Sequence, residues 1–214
     1  ITTPMTFCST VNCIIHAGGK PILVDIKRDT LNIDEDKIES KITKNTKAIL
    51  IVHFAGLPCN MDKINTIIKK YNLILIEDCA HAIESKFKNK NVGNFGYTGC
   101  YSFYVNKNIT TCEGGMLTTK SKKLSKFVEH NRLHGLSKDA WKRFFPSKQK
   151  KSIYFYDVVS AGYKFNMPDI NASIGISQFE SINKFWIKRK MLYQLYQKNL
   201  YKLPIILQKF DTSK

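Results

Sequence analysis

"SFYVNKNITTCEGG", residues 102–115, sets one lysine, Lys107, inside a turn made of hydroxyls, amides and small residues. The strand end "GCYSFY" (99–104) leads into it and "GMLTT" (115–119) leads out, so the turn joins two predicted strands. A lysine that only aids solubility sits on an exposed helix face, whereas this one lies at a strand end. Moving outward toward the N-terminus, "LILIED" (73–78), "AILIVHF" (48–54) and "PILVDI" (21–26) are short runs of Ile, Leu and Val that read as buried strands. Between them, "DEDKIESKI" (34–42), with acids in its first turn, and "MDKINTIIKKY" (61–71), with Ile64, Ile67 and Ile68 on one face, read as helices. Short apolar runs alternating with amphipathic ones give an α/β fold with a mainly parallel central sheet flanked by helices.

In the other direction a helix is expected from about Ser121 to "RLHG", followed by a lysine-rich insert without periodicity, expected to be a mobile or partner-contacting loop. The tail "DINASIGISQFESINKFWIKRKMLYQLYQKNL" carries two helical patterns. We expect residues 1–180 to form a large domain and 181–214 a connecting helix leading into a second, small domain. The chain opens without Met on what reads as a strand end, so a fragment of a longer protein is expected.

At 214 residues and 43% hydrophobic content the chain can bury a sizeable core. No apolar run reaches the roughly 20 residues of a membrane helix, and "ITTPMTF" has neither a charged nor an apolar leader region, which reads as cytoplasmic. Six cysteines without a CxxC pair fit packed, reduced thiols better than disulfides or a metal site, and no metal is expected. The net charge of +17 invites a nucleic-acid partner. Yet only four of the 34 basic residues are arginine, the lysines are spread along the chain, and even the densest run, "KRFFPSKQKK" (142–151), lacks any recognition motif, so that partner is not expected.

Ligands in open α/β sheets gather at the carboxyl ends of parallel strands, where Asp78 ends "LILIED" and Lys107 follows "GCYSFY". Pyridoxal 5'-phosphate (PLP) uses both groups at once: a lysine forms its Schiff base and an aspartate holds its ring nitrogen protonated. Ser102 could bind its phosphate, Phe7 could stack on its ring, and His81 could pack beneath it or bond its phenolic oxygen. Each has a plainer reading: Asp78 as a helix cap, Ser102 as a turn hydroxyl, Phe7 as core, His81 as a satisfied helix histidine.

The ordered segments "TPMTFCSTVNCIIHAGGKPILVDI", "TKAILIVHFAGLPCNMD", "IEDCAHAIES", "SFYVNKNITTCEGGM", "RLHGLSKDAWKRF" and "AGYKFNMPDINASIGISQ" resemble the DegT/StrS family of sugar-nucleotide aminotransferases. The resemblance implies a type I PLP-dependent transferase fold (aspartate aminotransferase-like), a homodimer with its active site shared between subunits, and amino transfer from L-glutamate to a nucleotide-linked keto sugar. It further implies Lys107 as the Schiff-base lysine, Asp78 as partner of the pyridine nitrogen, and His81 beside the ring. Ser102 would serve the phosphate, Phe7 would stack, and Lys164 and Asn166 in "GYKFN" would reach the cofactor phosphate or substrate of the opposite subunit. The "HGLSKDAWKRF" and "GYKFNMPDI" wording is most similar to members that aminate C4 of UDP- or GDP-linked 4-keto-6-deoxy sugars. Cys112 stands where many members have Gly, and Asn106 where Thr is frequent. Members are also longer, and the Gly-Thr phosphate loop that precedes "TPMTF" in them is absent. The competing expectations are an inactive remnant or interaction protein of the same fold, and the sugar 3-dehydratase branch, whose members carry His at the lysine position.

Overall fold

The computed structural model describes residues 1–137 and 157–209. The insert "KRFFPSKQKK" and the loop expected there lie outside the described residues. Two compact units are formed, one from Ile1–Thr118 with Asp169–Lys214 and one from Thr119–Pro168.

The first unit is built on a four-stranded sheet. Its members are β1 (Ala48–Val52), β2 (Ile74–Asp78), β5 (Thr98–Ser102) and β6 (Gly115–Thr119), in the order β1-β2-β5-β6. A separate antiparallel pair joins β3 (Lys86–Phe87) to β4 (Lys90–Asn91). β1 and β2 run parallel from Ala48 opposite Ile74 to Val52 opposite Asp78, and β2 and β5 run parallel from Ile76 opposite Thr98 to Asp78 opposite Cys100. β1 reads Ala-Ile-Leu-Ile-Val, and all but its first residue are buried, the signature of a strand covered on both faces.

Helix α2 (Met61–Tyr71) starts where Asn60 accepts the Lys63 amide at 3.3 Å and stops at Asn72 in the left-handed region, φ +50°. It buries Met61, Ile64 and Ile67 in the core that also holds Ile38, Ile49 and Leu75. Removing those three α2 side chains from water contributes about 2 kcal/mol each. Helices α1 (Cys8–His16), α4 (Asp169–Glu180) and α5 (Ile182–Leu200) complete the unit. In the second unit, Ser121 accepts the Leu124 amide at 3.2 Å and starts α3 (Lys122–Asn131).

Two expectations fail locally. "PILVDI" is not a buried strand: it makes one parallel bridge, Leu23 to Thr2, and one antiparallel bridge, Ile26 to Ile33, and only Val24 of the six is buried. Pro21 has no amide to extend a ladder, and the backbone partner of 22–24 is Thr2, which supplies just two bonds. "DEDKIESKI" forms two short 3₁₀ turns, Glu35–Lys37 and Glu39–Lys41, in place of an α-helix. There Asp34 takes the Asp36 amide at 3.2 Å and Ser40 donates to the Lys37 carbonyl at 2.9 Å, while Ile38 is fully buried. Side-chain bonds to the local backbone favour such tight turns.

Candidate active site

Because β2 and β5 run parallel with Asp78 opposite Cys100, their carboxyl ends fall side by side. Asp78 is the last residue of β2 and Ser102 the last of β5. Beyond Ser102 the chain turns: Lys107 N donates to the Tyr104 carbonyl at 3.0 Å, and the Phe103 amide and carbonyl bond Gly114 O (2.8 Å) and Thr111 N (2.9 Å). Ser102 Oγ accepts the Tyr104 amide at a long 3.4 Å, which leaves the hydroxyl proton uncommitted by that bond. Lys107 is half-buried, and no ion pair reaches it among the described residues.

Distant elements clasp this turn. Asn108 Nδ2 donates to Glu84 Oε2 at 2.7 Å and to the His81 carbonyl at 3.3 Å. From α5, Arg189 donates to Glu84 Oε1 at 3.1 Å and to the Asn108 carbonyl. From the first turn of α4, Asn171 Nδ2 donates to the carbonyls of Thr111 (2.6 Å) and Glu113 (3.1 Å). Cys112 adopts φ +64°, the left-handed region where a side chain costs about 1 kcal/mol, so glycine is the easier residue there.

Asp78 accepts two neutral donors, Thr10 Oγ1 at 2.9 Å on Oδ2 and the Ala80 amide at 3.0 Å on Oδ1. His81 sits three residues on, its ring edge-on to Phe54 at 6.3 Å and 75°. Burial holds the His81 pKa below the ordinary histidine value; the positive charge of Lys107 adds to this and Asp78 opposes it. His81 therefore lies within electrostatic reach of both groups, and its uncharged form is favoured. Gly56, at φ +85°, backs this segment, and a Cβ there would stand 3.0 Å from the His81 carbonyl oxygen. Phe7, the residue before α1, is 75% exposed, so its ring is no part of the core.

The neighbour of Asp78 on β2, Glu77, faces the opposite way and is fully buried. Its Oε2 accepts His53 Nε2 at 3.1 Å and the Gly93 amide at 2.7 Å, and its Oε1 accepts the amides of Phe95 (2.8 Å) and Gly96 (2.6 Å). Burial acts to raise the Glu77 pKa, but the His53 and backbone donors outweigh it and hold the carboxyl below the ordinary glutamate value. Cys79 joins His53 and Glu77 within metal-ligand spacing. Yet His53 Nδ1 accepts the Cys59 amide at 3.1 Å while Nε2 serves Glu77, so neither ring nitrogen is free for an ion. The group is a structural network beneath the strand end. Sequence reasoning missed Glu77, Thr10, Glu84 and Arg189; the adjacent acids of "LILIED", which must face opposite sides of a strand, were the one signal for Glu77.

Phe7, Asp78, His81, Ser102 and Lys107 belong to the first unit, and Lys164 and Asn166 to the second. There Lys164 Nζ donates to Asn166 Oδ1 at 2.7 Å, and the alternate residues Tyr163 and Phe165 stack their rings at 4.9 Å and 3°.

The family model described as the DegT/DnrJ/EryC1/StrS aminotransferase family matches residues 1–214. Spore coat polysaccharide biosynthesis protein SpsC of Bacillus subtilis is 39% identical over 210 residues, covering 98% of this chain and 53% of that protein. Among solved structures, Helicobacter pylori PseC, an aminotransferase involved in the biosynthesis of pseudoaminic acid, superposes with a TM-score of 0.85 at 32% identity, over 95% of this chain and 51% of that one. Spr1654 of Streptococcus pneumoniae, in its PMP form, gives 0.86 at 30% identity, over 98% of this chain and 57% of that one. The chain thus spans about half the length of the curated relatives it matches.

Proposed function

The chain belongs to the DegT/DnrJ/EryC1/StrS aminotransferase family, whose cofactor is PLP, and we propose that its protein transfers an amino group from L-glutamate to the keto carbon of a nucleotide-linked sugar. The observation that carries this reading is the pair of parallel strands whose carboxyl ends fall side by side, with Asp78 closing β2 and the Lys107 turn following β5. Relatives named for spore-coat polysaccharide and pseudoaminic acid biosynthesis support a carbohydrate acceptor. We take that acceptor to be a UDP- or GDP-linked 4-keto-6-deoxy sugar. The protein is read as a cytoplasmic homodimer in which Lys164 and Asn166 serve the opposite subunit, with residues 181–214 leading to a small domain. Among the described residues no helix is long and apolar enough to cross a membrane.

The donor set fits PLP. Asp78 has only neutral donors among the described residues, so its charge is available to a ring-nitrogen proton. Phe7 offers an exposed aromatic face, and Ser102 has a hydroxyl proton to donate to a phosphate. When bound, PLP supplies an electrophilic carbonyl carbon and an electron-withdrawing ring. Lys107 Nζ would hold that carbon and, once free, would serve as the base that takes and returns a proton at the substrate carbon that bears nitrogen. The clasp by Asn108, Arg189 and Asn171 keeps the Lys107 turn in one place, so Nζ meets both substrates from the same side. His81, whose charged form is disfavoured by burial and by Lys107, packs or donates a hydrogen bond beside that lysine.

The test is a visible-absorption titration of the protein with PLP, then with L-glutamate, then with a panel of UDP- and GDP-linked keto sugars. A PLP band that glutamate bleaches and one keto sugar restores is the expected result. A bound band that no amino donor changes would favour the inactive-remnant reading.

A further inference from the structure

Helix α1 buries one residue, and it is a threonine. A helix of nine residues held by packing alone would turn an aliphatic side chain inward; Thr10, 3% exposed, instead aims a hydroxyl at a carboxylate. Thr10 Oγ1 donates to Asp78 Oδ2 at 2.9 Å and lies 2.7 Å from Thr6 Oγ1. An ionised carboxylate only accepts, and a hydroxyl has one proton, so Thr10 spends its proton on Asp78 and Thr6 donates to Thr10. The result is a directed relay, Thr6 to Thr10 to Asp78. The Ala80 amide fixes the other oxygen at 3.0 Å, and each carboxylate oxygen keeps a lone pair for a further donor.

We propose that Thr10, oriented by Thr6, is a positioning residue that sets the angle at which the Asp78 carboxylate meets the cofactor's ring nitrogen. The assignment rests on the PLP reading above. A neutral donor suits the task because it fixes the carboxylate without cancelling its charge, whereas a lysine or arginine there would compete with the ring-nitrogen proton. The same bond serves a second group: Thr10 N donates to the Phe7 carbonyl at 3.1 Å, so tying Thr10 to β2 also ties down the helical turn that presents Phe7. Carboxylate and aromatic face are thereby set by one residue.

The experiment compares wild type, Thr10→Ser, Thr10→Val and Thr6→Val in the full chain, measuring the PLP dissociation constant and the pH at which bound PLP changes its absorption. Loss of a hydrogen bond to a charged group should weaken PLP binding about tenfold in Thr10→Val. The same variant should move the pH of the absorption change away from the wild-type value, because the ring-nitrogen proton is held less firmly. Thr10→Ser keeps the hydroxyl and should stay within about twofold of wild type, and Thr6→Val, one link removed, should lose roughly two- to threefold. Unchanged affinity and pH profile in Thr10→Val overturns the assignment, as does Thr10→Ser falling in step with Thr10→Val, which would point to methyl packing. If Thr10→Val does not fold by circular dichroism, Thr6→Val decides: a wild-type affinity and pH profile overturns the relay. Failure of wild type to bind PLP would instead remove the functional reading, and this assignment with it.

Discussion

Replacing Glu77 by Gln changes one atom in a buried carboxyl group and should unfold much of what holds the strand end in place. Each Glu77 oxygen accepts two donors: His53 Nε2 and the Gly93 amide on one, the Phe95 and Gly96 amides on the other. A glutamine presents one oxygen and one NH₂, so in either orientation two donors face a third donor, either the buried His53 and Gly93 groups or the part-buried Phe95 and Gly96 amides. His53 cannot relieve the clash by moving its proton, because Nδ1 already accepts the Cys59 amide. Two such donors without acceptors cost about 1–3 kcal/mol each, or about 2–4 kcal/mol together when the part-buried pair is the one left. Against a total stability on the order of 5–15 kcal/mol, that is a large share. The sign of the pH dependence follows from the depressed Glu77 pKa. The stabilisation is complete above the unfolded-state value, about 4.3, and is lost as pH falls through the lower folded-state value. Urea unfolding of the PLP-free protein, followed by circular dichroism at pH 7 and at intervals down to pH 3, reads both quantities. Wild type should lose stability on acidification below about pH 4.3, and Glu77→Gln should lose less there, having lost it already. A cost below about 1 kcal/mol at pH 7 would refute the reasoning, since it would mean the four donors find other acceptors.

His81 should titrate by NMR below the ordinary value of about 6.5, and Lys107→Ala should move its midpoint upward by removing the positive charge; no movement would separate the two residues. Arg189→Met removes the α5 clasp on Asn108 at a cost of about 1 kcal/mol, so hydrogen exchange at the bonded amides of Lys107 and Thr111 should accelerate roughly fivefold, with an unchanged rate counting against the clasp. Cys112→Gly should raise stability by about 0.5 kcal/mol in chemical denaturation, because relief of the φ +64° conformation exceeds the added freedom of glycine in the unfolded chain.

Much of the frame was legible because β1, β2 and α2 carry their own signals. An unbroken Ile-Leu-Ile-Val run, a strand ending in acids, and isoleucines spaced on one face after an Asn cap are local features. "PILVDI" carried the same signal and failed, since a strand depends on what lies beside it and its neighbour offers two backbone bonds. For the proposed site the sequence signal lay in its charged members, Asp78 and Lys107, because strand ends are where such chemistry collects. Its supports were not. Thr10 lies 68 residues from Asp78, and in "FCSTVN" it reads as an ordinary helix-start hydroxyl. Arg189 lies 105 residues from Glu84 among many basic residues of a helix. Only the folded chain distinguishes a clasp from a solvated charge.

The central claim is that Lys107 Nζ is the amine that holds PLP. Borohydride reduction of the PLP-loaded protein, followed by peptide mapping, tests it most directly. The account predicts a single phosphopyridoxyl label on Lys107 that disappears in Lys107→Ala. A label of equal stoichiometry on another lysine, or its survival in Lys107→Ala, would contradict it.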